Sequence, residues 1–310
     1  MRWLLKAALQ GGISLLPKSR EINYLFQKHV TRVVRLSQPY FDTRVDLCRQ
    51  HLRSYQGVYP DRIPVTTVEL GTGWLPIVTV GFSLCGFERI YSVDIDPLLR
   101  ADRLAVTLEY WLKAVDTGTV ADLPLNEDRI RLARDVHHEL ATYAIDAREA
   151  MRRLGVEIMV TDARHLPLEA GSVDYCFSTV TFEHIPRDVL QAILQEFRRV
   201  ASPTAVMTHF IDLSDHYSHF DRSITPYHFL RFSGRTWRLF NNRLLFQNRL
   251  RISDYRQLHE HAGFEILSEV NTTGTAAQIA AIRVAPEFSH YSPADLRVTS
   301  SMMVSRPRHS

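Results

Sequence analysis

The stretch TVELGTGWLPIVTVGFSLCGFERIYSVDIDP, residues 67–97, decides how the rest of the sequence is interpreted. Two apolar, β-rich runs flank a Gly-x-Gly turn and a helical segment, and the second run ends on two aspartates. Glycines at such a turn leave backbone amides facing a ligand without side chains in the way. The stretch therefore predicts a strand–helix–strand unit that binds a nucleotide-like ligand at its turn.

The residues of the turn narrow the choice of ligand. Gly71 and Gly73 form the turn, and Glu69 places a carboxylate at the end of the first strand. The third glycine of a dinucleotide fingerprint would fall where Pro76 stands, and proline lacks the amide donor that a pyrophosphate could use. A nicotinamide-dependent oxidoreductase is therefore the weaker alternative. A carboxylate at this place favours a ligand with a cationic amino group.

After Pro60 the sequence alternates between strand and helix patterns, which predicts an α/β fold with a mostly parallel sheet covered by helices. Strands are predicted at residues 65–70, 90–93, 157–160, 173–177, 205–211, 264–270 and 276–284. Helices are predicted at residues 76–85, 97–115, 186–200 and 253–262. The last two strands are expected to close the sheet.

Composition and charge exclude several classes of protein. A chain of 310 residues can bury a full core, and its net charge of +3 gives too weak a field to predict a nucleic-acid partner. Cys48, Cys85 and Cys176 are odd in number and far apart, so neither a disulfide framework nor a zinc knuckle is indicated. We therefore expect a cytoplasmic protein.

The first 60 residues are predicted to form a separate helical segment. The runs at residues 22–33 and 41–55 each keep one apolar stripe, so these helices should pack on the domain or cover its ligand cleft. The alternative is a membrane-surface helix over residues 3–16, with Arg2, Lys6 and Lys18 facing anionic lipid. That alternative would place the protein peripherally at the inner membrane surface.

Four segments, taken in order, resemble the motifs of class I S-adenosylmethionine-dependent methyltransferases. They are ELGTG (69–73), YSVDIDP (91–97), TDARHLPL (161–168) and SVDYCFSTVTFEHI (172–185). The resemblance implies a Rossmann-like, seven-stranded methyltransferase fold and S-adenosyl-L-methionine as the cofactor. It implies a methyltransferase domain over residues 61–290, between the helical segment 1–60 and a C-terminal tail at 291–310.

The resemblance also assigns roles to residues at the matching positions. Residues from the first motif would line the methionine moiety: Glu69, Gly71, Thr72 and Gly73. Asp94, followed by Ile95, would accept the ribose hydroxyls, and Asp162 with Ala163 would contact the adenine. Ser178 and Thr179, at the tip of the fourth strand, would lie below the transferred methyl group.

The spacing departs from the family in two places. Asp94 and Asp162 are 162 − 94 = 68 positions apart, more than the family usually has, which implies an insertion at about residues 116–155. Within it, residues 126–154 fit one long helix that ends at Gly155. This helix could pack on the domain, cover the cofactor or form a dimer face, and the sequence does not choose among them.

A second insertion, at residues 212–252, mixes aromatic residues with arginines. It contains Tyr217, Tyr227, Phe232 and Trp237 together with Arg222, Arg231, Arg235, Arg238, Arg243, Arg249 and Arg251. Aromatic faces stack on ring systems and arginine forks match phosphate or carboxylate, so the segment could line a pocket for a ring-bearing anion, such as a phosphate-bearing acceptor. The alternative is a small satellite core of aromatic residues with solvated arginines.

Candidates for the chemistry cluster after the fourth and fifth strands. Methyl transfer to an alcohol needs a base, and His184, His216, His219 and Asp215 are the candidates, near Glu183 and Asp212. We expect no metal, although Asp212, Asp215, His216 and His219 could instead bind a divalent ion that polarises the acceptor hydroxyl.

The sequence predicts an O-methyltransferase acting on a saccharide or other small-molecule hydroxyl. A narrower resemblance, to uncharacterised bacterial methyltransferases associated with surface-polysaccharide synthesis, rests on INYLFQKHVTR (22–32), DHYSHFD (215–221) and NRLRISDY (248–255). It implies polysaccharide biosynthesis and a glycan acceptor, either a saccharide or a lipid-linked saccharide. The alternatives are methylation of a natural product or a carboxylate, or a cofactor-binding scaffold without activity. Oligomeric state is not predicted.

Overall fold

The computed structural model describes residues 2–14, 36–242 and 246–308. Its strands are β1 (Thr66–Leu70), β2 (Arg89–Asp94), β3 (Val156–Val160), β4 (Val173–Thr179), β5 (Ala201–Asp212), β6 (Phe264–Thr273) and β7 (Val298–Pro307). They form one seven-stranded sheet in the order β3-β2-β1-β4-β5-β7-β6. Strands β1 to β5 pair in parallel, and β7 runs antiparallel to both of its neighbours. The predicted α/β, Rossmann-like, seven-stranded fold is confirmed.

Helices cover both faces of this sheet. They are α1 (Arg2–Ser14), α2 (Gln38–Gln56), α3 (Ile77–Leu84), α4 (Ala101–Asp116), α5 (Glu127–Ala141), α6 (Ala147–Arg153), α7 (Arg187–Val200), α8 (Gly234–Trp237), α9 (Ile252–His261), α10 (Ala276–Ala280) and α11 (Pro293–Leu296). Short 3-10 turns lie at Phe182–His184, His228–Arg231 and Pro286–Phe288. None of the described helices is long and apolar enough to cross a membrane.

Two apolar cores lie on opposite faces of the sheet. In β4, Tyr175 and Phe177 belong to the core formed by α2 to α6, and Cys176 belongs to the core formed by α7 and α9. Such alternation follows from the two-residue period of a strand. Helix α7 shows the matching helical pattern, with Leu190, Leu194 and its other inward residues buried at helical spacing. The sheet is therefore buried on both faces, as expected for parallel strands.

The first insertion packs on the domain. Ile130, Ala133, Val136 and Leu140 of α5 are buried in the core shared with α3 and α4. The prediction of one long helix over residues 126–154 is wrong, because α5 ends at Ala141 and α6 begins at Ala147. Asp146 caps α6 by accepting a hydrogen bond from the Glu149 amide, and this cap stabilises a new helix start.

The closing strand comes from a different part of the chain than predicted. Residues 276–284 do not form a strand, because the Thr275 and Gln278 side chains form a capping box that begins α10. Strand β7 comes instead from Val298–Pro307, within the predicted C-terminal tail, and it inserts between β5 and β6. The tail is therefore part of the sheet, and its prediction is corrected.

The N-terminal helices pack on the domain where they are described. Helix α2 buries Phe41, Val45, Cys48, Leu52 and Tyr55, the apolar stripe that the sequence predicts. In α1, Trp3 and Ala7 are buried against residues of the second insertion, which removes that face from contact with lipid. The predicted helix at residues 22–33, with the segment INYLFQKHVTR, lies outside the described residues, as does Lys18.

The strand order places a crevice between β1 and β4. From β1 the chain proceeds outward through β2 and β3, whereas β4 and β5 continue on the other side of β1. Ligands in open α/β sheets bind at such a reversal, outside the carboxyl ends of the strands. The segments after Leu70 and Thr179 both leave the sheet there. The predicted motifs therefore meet at one edge.

Candidate active site

The glycine loop after β1 closes on the end of β2. Gly71 and Gly73 have φ angles of +83° and +66°, which side chains rarely tolerate. The Gly71 amide donates a hydrogen bond to the Val93 carbonyl (2.8 Å), and the Gly73 amide donates to the Asp94 carboxylate (3.0 Å). These two bonds hold the loop against the acidic end of β2.

Glu69 forms the polar floor of this loop. Its Oε2 accepts hydrogen bonds from the hydroxyls of Thr79 (2.6 Å) and Ser92 (2.5 Å), and Thr72 contacts the Ser92 hydroxyl. Burial raises the pKa of the Glu69 carboxyl. A cationic amino group bound here would favour the carboxylate form, because opposite charges stabilise each other at short range.

Asp94 connects the loops that follow β1 and β2. Its two carboxylate oxygens accept from the amides of Gly73 and Asp96, both at 3.0 Å. Burial raises the pKa of this carboxyl above its ordinary value. The carboxylate faces a cavity lined by Gly71, Ile95 and other residues, so it is positioned to accept further hydrogen bonds.

Two neighbouring cavities share Gly71 in their walls. The first, about 230 Å³, is lined by Glu69, Thr179 and Val180, with Tyr40 and Arg44 of α2 on its other side. The second, about 350 Å³, lies beyond Asp94 and is largely apolar; its walls include Ile95, Asp162, Ala163, Thr181, His184 and Val189. Together they form an elongated cleft along the carboxyl edge of the sheet.

Asp162 is held by a charged neighbour at the far end of the cleft. The Arg164 guanidinium donates to both of its carboxylate oxygens, at 2.5 to 3.0 Å. This pairing lowers the pKa of Asp162 to about 2. The carboxylate therefore remains ionised at neutral pH, as an acceptor at the cleft wall must.

Ser178 and Thr179, at the tip of β4, lie in different surroundings. The Ser178 side chain is fully buried and bonded to His209 Nδ1 (2.8 Å), so it lies away from the cleft and its predicted place below the methyl group is corrected. Thr179 lines the first cavity, and its hydroxyl lies 3.1 Å from His51 Nε2. Burial lowers the pKa of His51 to about 3, so this ring is neutral.

A cluster of titratable side chains follows the cleft residues. Ligand atoms of Glu183, His184 and His216 lie within 4.8 Å of one another. Burial raises the pKa of Glu183 to about 8 and lowers that of His184 to about 4. His184 also lines the second cavity, and its Nδ1 donates to the Phe246 carbonyl at 2.8 Å. We call these three residues the Glu–His–His cluster.

Asp212, at the end of β5, borders this cluster. Its Oδ2 lies 3.5 Å from His216 Nε2, an ion-pair distance rather than a short hydrogen bond. Burial disfavours the charged form of His216, but Asp212 and Glu183 outweigh it and raise the pKa of the ring. Burial likewise opposes ionisation of Asp212, yet His216 and Ser214 lower its pKa to about 2. His216 and Asp212 thus stabilise each other's charge.

His219 and Asp215 do not join the cluster. The His219 side chain is 59% exposed, and its Nε2 lies 3.0 Å from the Ser214 hydroxyl. Asp215 is fully buried and turned away: Oδ1 accepts from the Tyr217 amide, and Oδ2 lies 3.3 Å from His228 Nδ1. Asp215 is therefore corrected as a catalytic candidate. The metal set that combined it with Asp212, His216 and His219 is corrected for the same reason.

The aromatic residues of the second insertion form a satellite core. Tyr217, Tyr227 and Trp237 are buried, and Trp3 packs against Tyr217 with ring centroids 5.8 Å apart. Phe232 is partly buried in the same group. The described aromatic residues therefore stabilise the insertion and α1 rather than lining the cleft. The expectation that they form the acceptor pocket is wrong, and the satellite-core alternative is confirmed for them.

Two arginines of the insertion are structural. Arg251 is fully buried and donates to the carbonyls of Leu213 (2.9 Å) and Leu296 (3.2 Å). Arg249 pairs with Glu287 at 2.8 Å. The composition suggests either solvated arginines or phosphate ligands, and these two arginines are neither. Arg222, Arg231, Arg235 and Arg238 are exposed, and Arg243 lies outside the described residues.

The sequence of residues 127–208 matches the family model of a methyltransferase domain. The match covers about a quarter of the chain. The matched part runs from α5 to within β5 and includes both the Asp162 loop and the turn with Glu183 and His184. With the fold described above, this match supports a methyltransferase. No curated protein matches the sequence.

Solved structures that resemble the methyltransferase share little sequence with it. A protein from Pyrococcus horikoshii OT3 is 18% identical, with a TM-score of 0.48, covering 89% of this chain and 93% of that one. A SAM-dependent methyltransferase from Methanosarcina mazei is 12% identical, with a TM-score of 0.43 and coverages of 79% and 93%. An S-adenosylmethionine-dependent methyltransferase from Mesorhizobium loti is 13% identical, with a TM-score of 0.41 and coverages of 82% and 97%.

Three cleft-side residues of the methyltransferase are absent from the sequence predictions. Tyr40 and Arg44 line the first cavity from α2, and His51, on the same helix, bonds to Thr179. Their helix was predicted from its apolar stripe, which carries no signal for what the polar positions face. The positions of Arg44 and His51 on that helix could be known only once its packing against β4 was known.

Asp94→Asn should weaken binding of S-adenosylhomocysteine to the methyltransferase roughly 5- to 150-fold, which corresponds to about 1–3 kcal/mol for a buried hydrogen bond to a charged group. A carboxylate accepts hydrogen bonds on both of its oxygens, whereas the asparagine amide accepts on only one, and the pKa of the Asp94 carboxyl is raised. Affinity should therefore fall on acidification, beginning at a higher pH than for an ordinary aspartate, and this dependence should vanish in the variant.

Calorimetric titration over a pH series measures both effects. Asp96→Asn is the matched control, because Asp96 meets Asp94 through its backbone amide, which the substitution keeps. Equal affinities of Asp94→Asn and the wild type would remove Asp94 from the cofactor site.

Proposed function

We propose that the methyltransferase transfers the methyl group of S-adenosylmethionine to a hydroxyl of a small-molecule acceptor, with saccharides as the substrate class. The observation that carries the proposal is the Glu–His–His cluster beside the cleft, with Asp212 at its border. In this proposal the cofactor occupies the cleft from Glu69 to Asp162, and the acceptor approaches from the side of the cluster.

The chemistry of methyl transfer favours a hydroxyl acceptor at such a cluster. Transfer from a sulfonium is an in-line displacement, and an alcohol must lose its proton to become a strong nucleophile. A carboxylate is already ionised at neutral pH and needs no such group. A buried carboxyl with two imidazoles beside it, next to the cleft, is therefore better suited to an alcohol than to the alternative carboxylate acceptor.

The saccharide class is supported by where the narrower resemblance lies in the fold. DHYSHFD contains His216 of the cluster. NRLRISDY begins with Asn248, whose amide donates to the Glu183 carbonyl (2.9 Å) and whose side chain donates to the Phe182 carbonyl (2.8 Å). Both segments thus contact the turn that carries the cluster, so the resemblance to polysaccharide-associated methyltransferases concerns the acceptor side of the molecule.

Product analysis tests the proposal directly. The protein is incubated with S-adenosylmethionine carrying an isotope-labelled methyl group and with saccharides that are free, phosphate-bearing or lipid-linked. We expect a methyl ether on one hydroxyl, identified by mass spectrometry and by NMR. The matched control is the same saccharide lacking that hydroxyl, which should not react.

Other products would count against the proposal. A methyl ester or a methylated amine from a wider acceptor panel would favour the alternative of a carboxylate or natural-product substrate. Tight cofactor binding without transfer to any class of acceptor would favour a cofactor-binding scaffold.

A further inference from the structure

We propose that Glu183, His184 and His216 bind a divalent metal cation that activates the acceptor hydroxyl. This inference rests on the proposed function and names how the hydroxyl loses its proton. The three side chains offer one carboxylate oxygen and two imidazole nitrogens within 4.8 Å of one another. Imidazole and carboxylate together form a donor set that suits first-row divalent cations such as Zn²⁺, Mn²⁺ and Co²⁺.

Unpartnered buried atoms of the cluster support a bound cation. Glu183 is 2% exposed, and among the described residues its Oε2 has no hydrogen-bond partner. His216 Nε2 is buried and makes no hydrogen bond within that part of the chain, with Asp212 Oδ2 at an ion-pair distance of 3.5 Å. Leaving such a group unpaired costs about 1–3 kcal/mol, and native structures rarely do so without a reason. One cation between these two atoms would satisfy both.

The orientation of His184 also fits a ligand. Its Nδ1 donates to the Phe246 carbonyl at 2.8 Å, so the proton is on Nδ1 and the lone pair of Nε2 is free to coordinate. Metal-binding histidines commonly have a carbonyl or carboxylate partner on their other nitrogen, which fixes the ring. Asp212 Oδ2, at 3.5 Å from His216 Nε2, could add a second carboxylate to the site.

The cluster requires only local movement to close around an ion. Cation–ligand distances of about 2.1 Å place ligand atoms roughly 3–4 Å from one another, somewhat closer than in the described arrangement. Glu183 and His184 are neighbours on the 3-10 turn Phe182–His184, and His216 lies just past the end of β5. Rotations of side chains that share one edge of the sheet can therefore bring the three donors together.

A cation here would change the proton balance of methyl transfer in a defined way. Coordination lowers the pKa of a bound hydroxyl, so the O–H bond breaks and the proton passes to solvent. The alkoxide electron pair then forms the new O–C bond to the methyl group. The C–S bond of the sulfonium breaks, and its electron pair stays on sulfur, which leaves neutral S-adenosylhomocysteine.

The test measures metal binding apart from activity. The full-length protein is treated with a chelator, dialysed and titrated with Co²⁺, whose visible absorption reports coordination, and with Zn²⁺ by calorimetry. We expect one cation per chain. Glu183→Gln and, independently, His216→Gln should weaken binding at least about tenfold. His219→Gln is the comparison variant on the same segment: its ring is exposed, although it stacks on His216 and lies 3.7 Å from Asp212, so it should weaken binding much less than the other two variants.

Specific results would overturn the inference. Wild-type protein that binds no cation after chelation, or a Glu183→Gln variant that melts like the wild type and binds the cation equally well, would each refute the site. Transfer to a hydroxyl at full rate in chelator would refute it while the proposed function stands. Cation binding that needs Glu183, in a protein that methylates no hydroxyl, would uphold the site and refute the proposed function.

Discussion

Replacement of His216 by alanine should lower turnover by roughly a hundred- to ten-thousand-fold, the range for groups that assist proton transfer. The ring belongs to the cluster that we propose to activate the acceptor hydroxyl, and it stabilises the Asp212 carboxylate at 3.5 Å. Without it the proposed site loses one imidazole, and Asp212 loses the ion-pair partner that stabilises its charge. The lost interaction belongs to the transition state, so kcat should fall in this variant.

Cofactor affinity should be nearly unchanged in His216→Ala. The walls of the two cleft cavities include His184 but not His216 among the described residues. Steady-state kinetics gives kcat, and calorimetry with S-adenosylhomocysteine gives the affinity. The comparison variant is His219→Ala, whose exposed side chain bonds to Ser214 and stacks on the His216 ring without being one of the three cluster residues. Equal turnover of His216→Ala and His219→Ala would show that the cluster does not act in the chemistry.

The cofactor side of the cleft could be predicted because its signal is local. The Gly71 and Gly73 turn, the acid at Asp94 and the segment at Asp162 are each defined by a few adjacent residues at the end of one strand. Parallel strands then bring those ends to one edge of a sheet without further information. Distance along the chain does not matter to such a prediction, which is why the insertion between Asp94 and Asp162 did not disturb it.

The acceptor side could not be predicted because its signal is not local. Alternating side chains in a tight turn face opposite ways, so Asp215 turns inward to His228 while His216, one position later, faces Glu183. Composition also cannot distinguish a buried arginine from an exposed one. Arg251 is fully buried only because the carbonyls of Leu213 and Leu296 are near it in the fold.

Two predictions about the fold are wrong, and both have local physical causes. Residues 276–284 are apolar enough for a strand, but the capping box of Thr275 and Gln278 favours a helix start. The break between α5 and α6 has a similar signal, since Asp146 and Glu149 have the spacing of an N-terminal cap. In both places the capping residues determine the local structure, and the apolar pattern beside them does not.

Gly71→Ala should reduce kcat/KM for S-adenosylmethionine by about a hundredfold or more. A Cβ at this position would lie 2.5 Å from Thr181 Cγ2 and 3.1 Å from Thr181 Cβ, and the φ angle of +83° is already unfavourable for alanine. Thr181 directly precedes the turn that carries Glu183 and His184. Displacing it would move Glu183 and His184 as well as the cleft wall, and a shift of about 1 Å can cost a hundredfold in rate.

Gly73→Ala separates the steric effect from the backbone effect. Gly73 has a similar φ of +66°, but a Cβ there meets nothing within 4 Å. Its alanine variant should lose only the cost of a left-handed backbone, about 1–2 kcal/mol. The double variant Gly71→Ala/Thr181→Ala removes the closest contacts and should recover part of the lost kcat/KM. Because φ is matched and only the neighbour differs, equal losses in the two single variants, with no recovery in the double variant, would show that Thr181 does not limit the cleft.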